Sequence, residues 1–124
     1  NDVSVPISSL PRFLDEAGRR VAELAPGARP CPFGHLGDGN LHYNILGPAG
    51  EDPDAFRRQY GAGLVDAVSD LVMSMKGSFS AEHGVGRLRR EMMERYKAPE
   101  ALMLMRKLKQ TLDPDGILNP GKVI

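Results

Sequence analysis

Residues 34–42 read Gly34-His35-Leu36-Gly37-Asp38-Gly39-Asn40-Leu41-His42, and the fold turns on how they are paired. Asp-Gly favours a two-residue hairpin turn, because both central positions of that turn need positive φ. With Asp38-Gly39 as the turn, Gly37 pairs with Asn40, Leu36 with Leu41, and His35 lies directly opposite His42. Opposed residues have Cβ atoms about 4.5–5.5 Å apart, a spacing at which two imidazoles can grip one metal ion. The third and last histidine, His83, follows Glu82, whose carboxylate is a candidate for the next ligand.

Outward from the hairpin, the pattern is regular. Residues 2–6 alternate Val3 and Val5 with polar residues and read as a short strand. Ser8 or Ser9 can cap a helix starting near Leu10-Pro11, since proline is tolerated in a first turn. Leu10, Phe13, Leu14, Val21 and Leu24 form its apolar stripe, and Pro26-Gly27 stops it. Strands over about 30–36 and 41–46 flank the Asp-Gly turn. A long helix follows from Asp52 or Pro53 to Met75, with Phe56, Tyr60, Leu64, Val68, Leu71 and Val72 on one stripe. Gly61 and Gly63 weaken this helix locally and suggest close packing. Residues 78–82 can form a fourth strand, and helices are expected over 86–96 and 99–112.

The first 82 residues therefore read β-α-β-β-α-β, the order of a ferredoxin-like α+β fold. Its antiparallel sheet has the strand order 4-1-3-2. In that order His35 ends strand two, His42 starts strand three and Glu82 ends strand four, all at one rim. Two imidazoles and a carboxylate suit zinc and leave a coordination position open; manganese or iron would also be accepted. The alternative for each histidine alone is a hydrogen-bonded structural residue. Asp38 is explained by its turn, and Asn40 can be no more than a turn cap. Asn44, two residues past His42, shares its strand face. His83 is suited to accept a proton near neutral pH, and it can face the site together with Glu82 only if the strand ends there.

Composition narrows the classes. The 124 residues suffice for one core, and the 16 basic and 16 acidic side chains cancel. That balance argues against nucleic acid or an anionic membrane as main partner. No apolar run approaches the length of a membrane span, and no signal-peptide pattern is visible; the expected location is the cytoplasm, with a peripheral position on a membrane or, in a eukaryote, the mitochondrial matrix as alternatives. The start at Asn1 suggests a processed chain or an excised domain. Cys31, the single cysteine, rules out an internal disulfide and a Cys-based zinc site, and reads as a small buried side chain. Arg87, Arg89, Arg90 and Arg95, interleaved with Glu91 and Glu94, read as a solvated face. Met92, Met93, Met103 and Met105 read as core or interface filler. Gly84-x-Gly86 before Arg87 is a weak phosphate signal on its own.

Three longer motifs, GHLGDGNLHYNI, FSAEHGVGRLRREMM and LDPDGILNPGKVI, resemble the C-terminal domain of FAD-linked oxidases. This flavoprotein group, of the vanillyl-alcohol oxidase type, includes D-lactate and D-2-hydroxyglutarate dehydrogenases and the glycolate oxidase flavin subunit. The resemblance covers essentially the whole chain. It implies an upstream FAD-binding domain as partner, with residues 1–84 forming a cap over the flavin. It implies that 85–124 return to that domain, with Asn119 near the flavin. It also implies His35, His42 and Glu82 as metal ligands, usually for zinc, and Asn44 and His83 as substrate contacts. The implied reaction oxidises a small D-2-hydroxy acid to a 2-oxo acid, with His83 taking the hydroxyl proton and hydride passing to the flavin before electrons leave for another acceptor. The basic family residues that precede Asp2 and bind the substrate carboxylate fall outside the chain, so these 124 residues alone are expected neither to hold FAD tightly nor to turn over. A second copy of the chain is a further candidate partner. The rival readings are a non-catalytic ferredoxin-like metal-binding or assembly module, and a metal hydrolase with His83 as base.

Overall fold

A computed structural model describes all 124 residues, which form two compact units, Asn1–His83 and Gly84–Ile124. The first unit is α+β. Strands β1 (Asp2–Ser4), β2 (Arg29–His35) and β3 (Asn40–Leu46) form an antiparallel sheet in the order β1-β3-β2. Helices α1 (Leu10–Leu24) and α2 (Pro53–Ser74) connect and follow them.

The sheet separates its two faces by simple alternation. Val3, Val5, Leu41 and Tyr43 point into a core that includes Phe13, Ala17 and Val21 of α1 and Leu64, Val68, Leu71 and Val72 of α2. The residues between them, Asp2, Asn40, His42 and Asn44, fall on the opposite face, which is polar. Leu24, expected on the α1 stripe, is the last residue of the helix and is exposed.

Phe13 meets Tyr43 edge to face, with ring centroids 5.4 Å apart. The Tyr43 hydroxyl is buried without a hydrogen-bond partner, and burial pushes its pKa up to about 12. An unfolded tyrosine ionises near pH 10, so between about pH 10 and 12 the unfolded chain has lost a proton that the folded chain keeps. Stability from Tyr43 is intact below pH 10 and falls by about 2–3 kcal/mol as pH rises to 12. Tyr43→Phe is expected to remove that decline and, by deleting an unpaired buried hydroxyl, to stabilise the chain by about 1 kcal/mol at neutral pH. Urea unfolding of both proteins at neutral and alkaline pH measures the difference; equal slopes against pH would refute it.

The hairpin differs from the two-residue turn in a specific way. Leu36–Asp38 form a 3-10 turn and Gly39 takes the left-handed conformation at φ 69°. A Cβ on Gly39 would lie 2.1 Å from the Val5 carbonyl oxygen, so glycine is required there by contact as well as by φ. The longer turn pairs His35 with Asn40, and His42 with Phe33. His35 and His42 are thus diagonal neighbours rather than directly opposed. A shift of two residues keeps each side chain on its face, whereas a shift of one would have reversed it.

The fourth strand is reduced to one antiparallel pair, Ser4 with Ser78. The Ser4 and Ser78 N–H groups each donate to the other's carbonyl, at 2.9 and 2.8 Å. Beyond Ser78 the chain turns on its own side chains, Ser78 Oγ donating to the Ser80 carbonyl at 2.8 Å. It then meets the Asp2 carboxylate instead of the β1 backbone.

Other expectations are adjusted by local contacts. Ile7–Ser9 is a 3-10 turn, so neither serine caps α1 through its side chain. Asp52 does cap α2, accepting from the Asp54 and Ala55 N–H groups. A Cβ at Gly63 would meet nothing within 4 Å, so close packing does not explain that glycine. Cys31 lies exposed on β2 rather than buried, because that edge strand is exposed throughout.

The second unit holds α3 (Arg90–Tyr96) and α4 (Pro99–Leu112). α3 starts later than expected, at Arg90, after a turn that includes Gly86 at φ 54°. Met93 is buried while Met103 is exposed. After α4, Asp113 accepts from the Ile117 and Leu118 N–H groups at 2.9 and 3.0 Å, closing the turn. Its partner Lys109 holds the Asp113 carboxyl below the usual carboxylate range. No helix of the chain is long and apolar enough to cross a membrane.

Candidate metal and substrate site

The polar face of the sheet carries two rows of opposed residues. Asp2, His42 and Phe33 form one row across β1, β3 and β2, and Ser4, Asn40 and His35 form the next. The segment ending at His83 delivers Glu82 to these rows. His35 Nδ1 lies 3.3 Å from Glu82 Oε1, and His42 Nε2 lies 3.6 Å from Glu82 Oε2. One carboxylate therefore meets both imidazoles, one through each oxygen.

These separations test the donor set. Tetrahedral coordination at the usual zinc bond lengths puts neighbouring donors about 3.3 Å apart. The two histidine–glutamate distances are near that edge but run to different oxygens of Glu82, so the three side chains offer nitrogen and oxygen donors of the kind a divalent metal takes. His35 is largely exposed, with 69% of its side chain accessible, against 22% for His42. The position is thus open on the His35 side.

Glu82 and His83 both reach the site because the strand that would have sent them to opposite faces does not form there. The His83 ring stacks on His42, with centroids 5.2 Å apart and planes 26° from parallel. Phe33 covers His42 from β2 at 5.1 Å. Asp2, His42 and His83 also form a cluster whose donor atoms all lie within 4.8 Å of one another. His42 is shared by this cluster and by the pairings of Glu82.

Two residues were missed as site members by sequence reasoning. Asn40 is buried and its Nδ2 donates to Glu82 Oε1, so it orients the carboxylate rather than merely capping the turn. Asp2, also buried, receives the Glu82 and His83 N–H groups. For Asn40, strand alternation was an available signal, since it shares a face with His42. For Asp2 the signal was a charged residue at the start of an otherwise apolar edge pattern. Asn44 lies exposed on the same face, opposite Cys31. Asn119 lies on an exposed turn of the second unit, its carbonyl accepting from Lys122 N–H at 3.2 Å, with φ 46°.

Comparison with known proteins gives this geometry a family. Residues 1–123 match the family model for FAD linked oxidases, C-terminal domain, and the chain belongs to that family. It is 42% identical over 123 residues to a D-2-hydroxyglutarate dehydrogenase of Stutzerimonas stutzeri, covering 99% of this chain and 26% of that protein. It is 42% identical over 124 residues to the mitochondrial D-2-hydroxyglutarate dehydrogenase of Bos taurus, covering 99% of this chain and 21% of that protein. An uncharacterized FAD-linked oxidoreductase of Mycobacterium tuberculosis is 41% identical over 122 residues, 98% of this chain and 24% of that protein. The chain spans about a quarter of the length of these relatives.

Proposed function

We propose that the chain is the substrate domain of an FAD-dependent dehydrogenase that oxidises a D-2-hydroxy acid to the 2-oxo acid. D-2-hydroxyglutarate is the substrate to test first, since that is the activity for which the similar proteins are named. The observation that carries the reading is the convergence of His35 and His42 on the two oxygens of Glu82, with His83 stacked alongside. In this reading His35, His42 and Glu82 hold a divalent metal, zinc before manganese or iron. Bound there, the metal would supply Lewis-acid polarisation of the substrate's hydroxyl and carboxylate oxygens. The flavin would supply the two-electron acceptor from a separate upstream domain.

The chain's own residues have distinct tasks. Glu82 is the one negative ligand between the two imidazoles. Asn44 offers an uncharged donor and acceptor at the rim. His83 accepts the hydroxyl proton, one of the two hydrogens that conversion of CH–OH to C=O must release. Residues 85–124 would return to the flavin domain and bring Asn119 to it. Leu108, Leu112, Ile117 and Leu118 are exposed there and supply apolar surface for that contact.

The test is reconstitution of this chain with an FAD-binding domain of the family. D-2-hydroxyglutarate, and not its L enantiomer, should bleach the flavin when Zn²⁺ or Co²⁺ is present. Metal binding without substrate-dependent bleaching would favour a non-catalytic metal-binding module instead.

A further inference from the structure

We infer that Asp2 is a positioning residue that builds the Glu82-His83 corner of the site. The inference rests on the proposed ligand set and extends it inward from the metal. Asp2 is 2% exposed, at the head of β1 and directly opposite His42. A buried carboxylate is costly unless it is hydrogen-bonded. Here its oxygens accept the Glu82 N–H at 3.1 and 3.3 Å and the His83 N–H at 2.9 Å. Two successive N–H groups aimed at one carboxylate cannot belong to an extended strand, whose N–H groups alternate in direction. Asp2 therefore holds residues 82–83 out of an extended strand, past the Ser78–Ser80 turn, and turns two adjacent side chains toward one face.

Asp2 also reaches the His83 ring, with Oδ2 lying 3.6 Å from Nδ1. The same side chain thus sets the backbone under Glu82 and lies against the His83 ring. Asp2 joins His42 and His83 in the second donor cluster; its bonds to two backbone N–H groups assign it to support rather than to coordination.

Asp2→Asn tests this in the chain itself. The variant keeps one acceptor oxygen and loses the charge. Co²⁺ affinity, read by titration, should fall by about 10–100-fold, the usual effect of losing an outer partner of a metal ligand. The Co²⁺ absorption spectrum should keep the shape it has in the parent chain, because the ligands are unchanged. Amide exchange at Glu82 and His83 should quicken at least about tenfold, while α1 and α2 amides keep their protection. Unchanged exchange at both amides would overturn the proposal. A changed Co²⁺ spectrum would overturn it in favour of Asp2 as a ligand. If the parent chain binds no Co²⁺, the ligand reading fails, and the two amides still decide the positioning role. Should the variant not fold, the parent chain suffices: Glu82 and His83 amides must exchange more slowly than that of Gly37, and equal rates would refute the inference.

Discussion

Glu82→Ala is expected to weaken Zn²⁺ or Co²⁺ binding by more than about 100-fold, beyond the range for loss of an outer-shell partner. The size follows from the geometry. Glu82 meets both imidazoles, so its removal takes away the group common to two donor contacts and the ligand charge together. It also strips Asn40 Nδ2 of its acceptor, in a residue whose Oδ1 is already buried without a partner. An unpaired buried polar group costs about 1–3 kcal/mol, so the variant should also unfold at lower denaturant concentration. Glu82→Gln separates the two effects, because its amide oxygen can still accept from Asn40. It should recover most of the stability and little of the affinity. Calorimetric titration with Co²⁺, beside urea unfolding of both variants, provides the check. Parent-like affinity in Glu82→Ala would remove Glu82 from the ligand set.

The face on which His35 and His42 lie was legible in the sequence, but their register was not. Asp38-Gly39 announced a turn correctly. Whether a turn takes two residues or four depends on contacts far along the chain, here the close approach of Gly39 to the Val5 carbonyl. Because the difference is two residues, the polar face survived the wrong pairing. Both helices of the first unit were legible for a similar reason: their apolar stripes bind one sheet face, and periodicity records that directly. The fourth strand was not legible. Residues 78–82 have strand-like spacing, yet a side chain some 80 positions away takes the N–H groups that a neighbouring strand would have bonded. Sequence periodicity registers side-chain faces; it carries no record of a backbone group diverted to a distant carboxylate. Asp2 and Asn40 were overlooked for that reason, as supporting residues whose importance lies in which atoms they meet.

His83→Asn is expected to lower kcat of the reconstituted dehydrogenase by about 10²–10⁴-fold, the usual contribution of a positioned general base. Asparagine approximates the reach of Nδ1 and can keep a hydrogen bond toward Asp2, but it cannot accept a proton near neutral pH. The backbone bond from residue 83 to Asp2 is independent of the side chain, so the corner holding Glu82 should persist. Metal affinity is therefore expected to stay within a few-fold of the parent, which separates a proton acceptor from a ligand. That separation matters because His83 lies in the cluster with Asp2 and His42 as well as against the His42 ring. Losing one face of that stack costs about 0.5–1.5 kcal/mol at most, too little to account for a fall of more than about tenfold in rate. Turnover of D-2-hydroxyglutarate and Co²⁺ titration on the same preparation give both readouts. Parent-like turnover would remove His83 from the chemistry. Lost metal affinity with lost turnover would move it from proton acceptor into the ligand set, in place of the exposed His35.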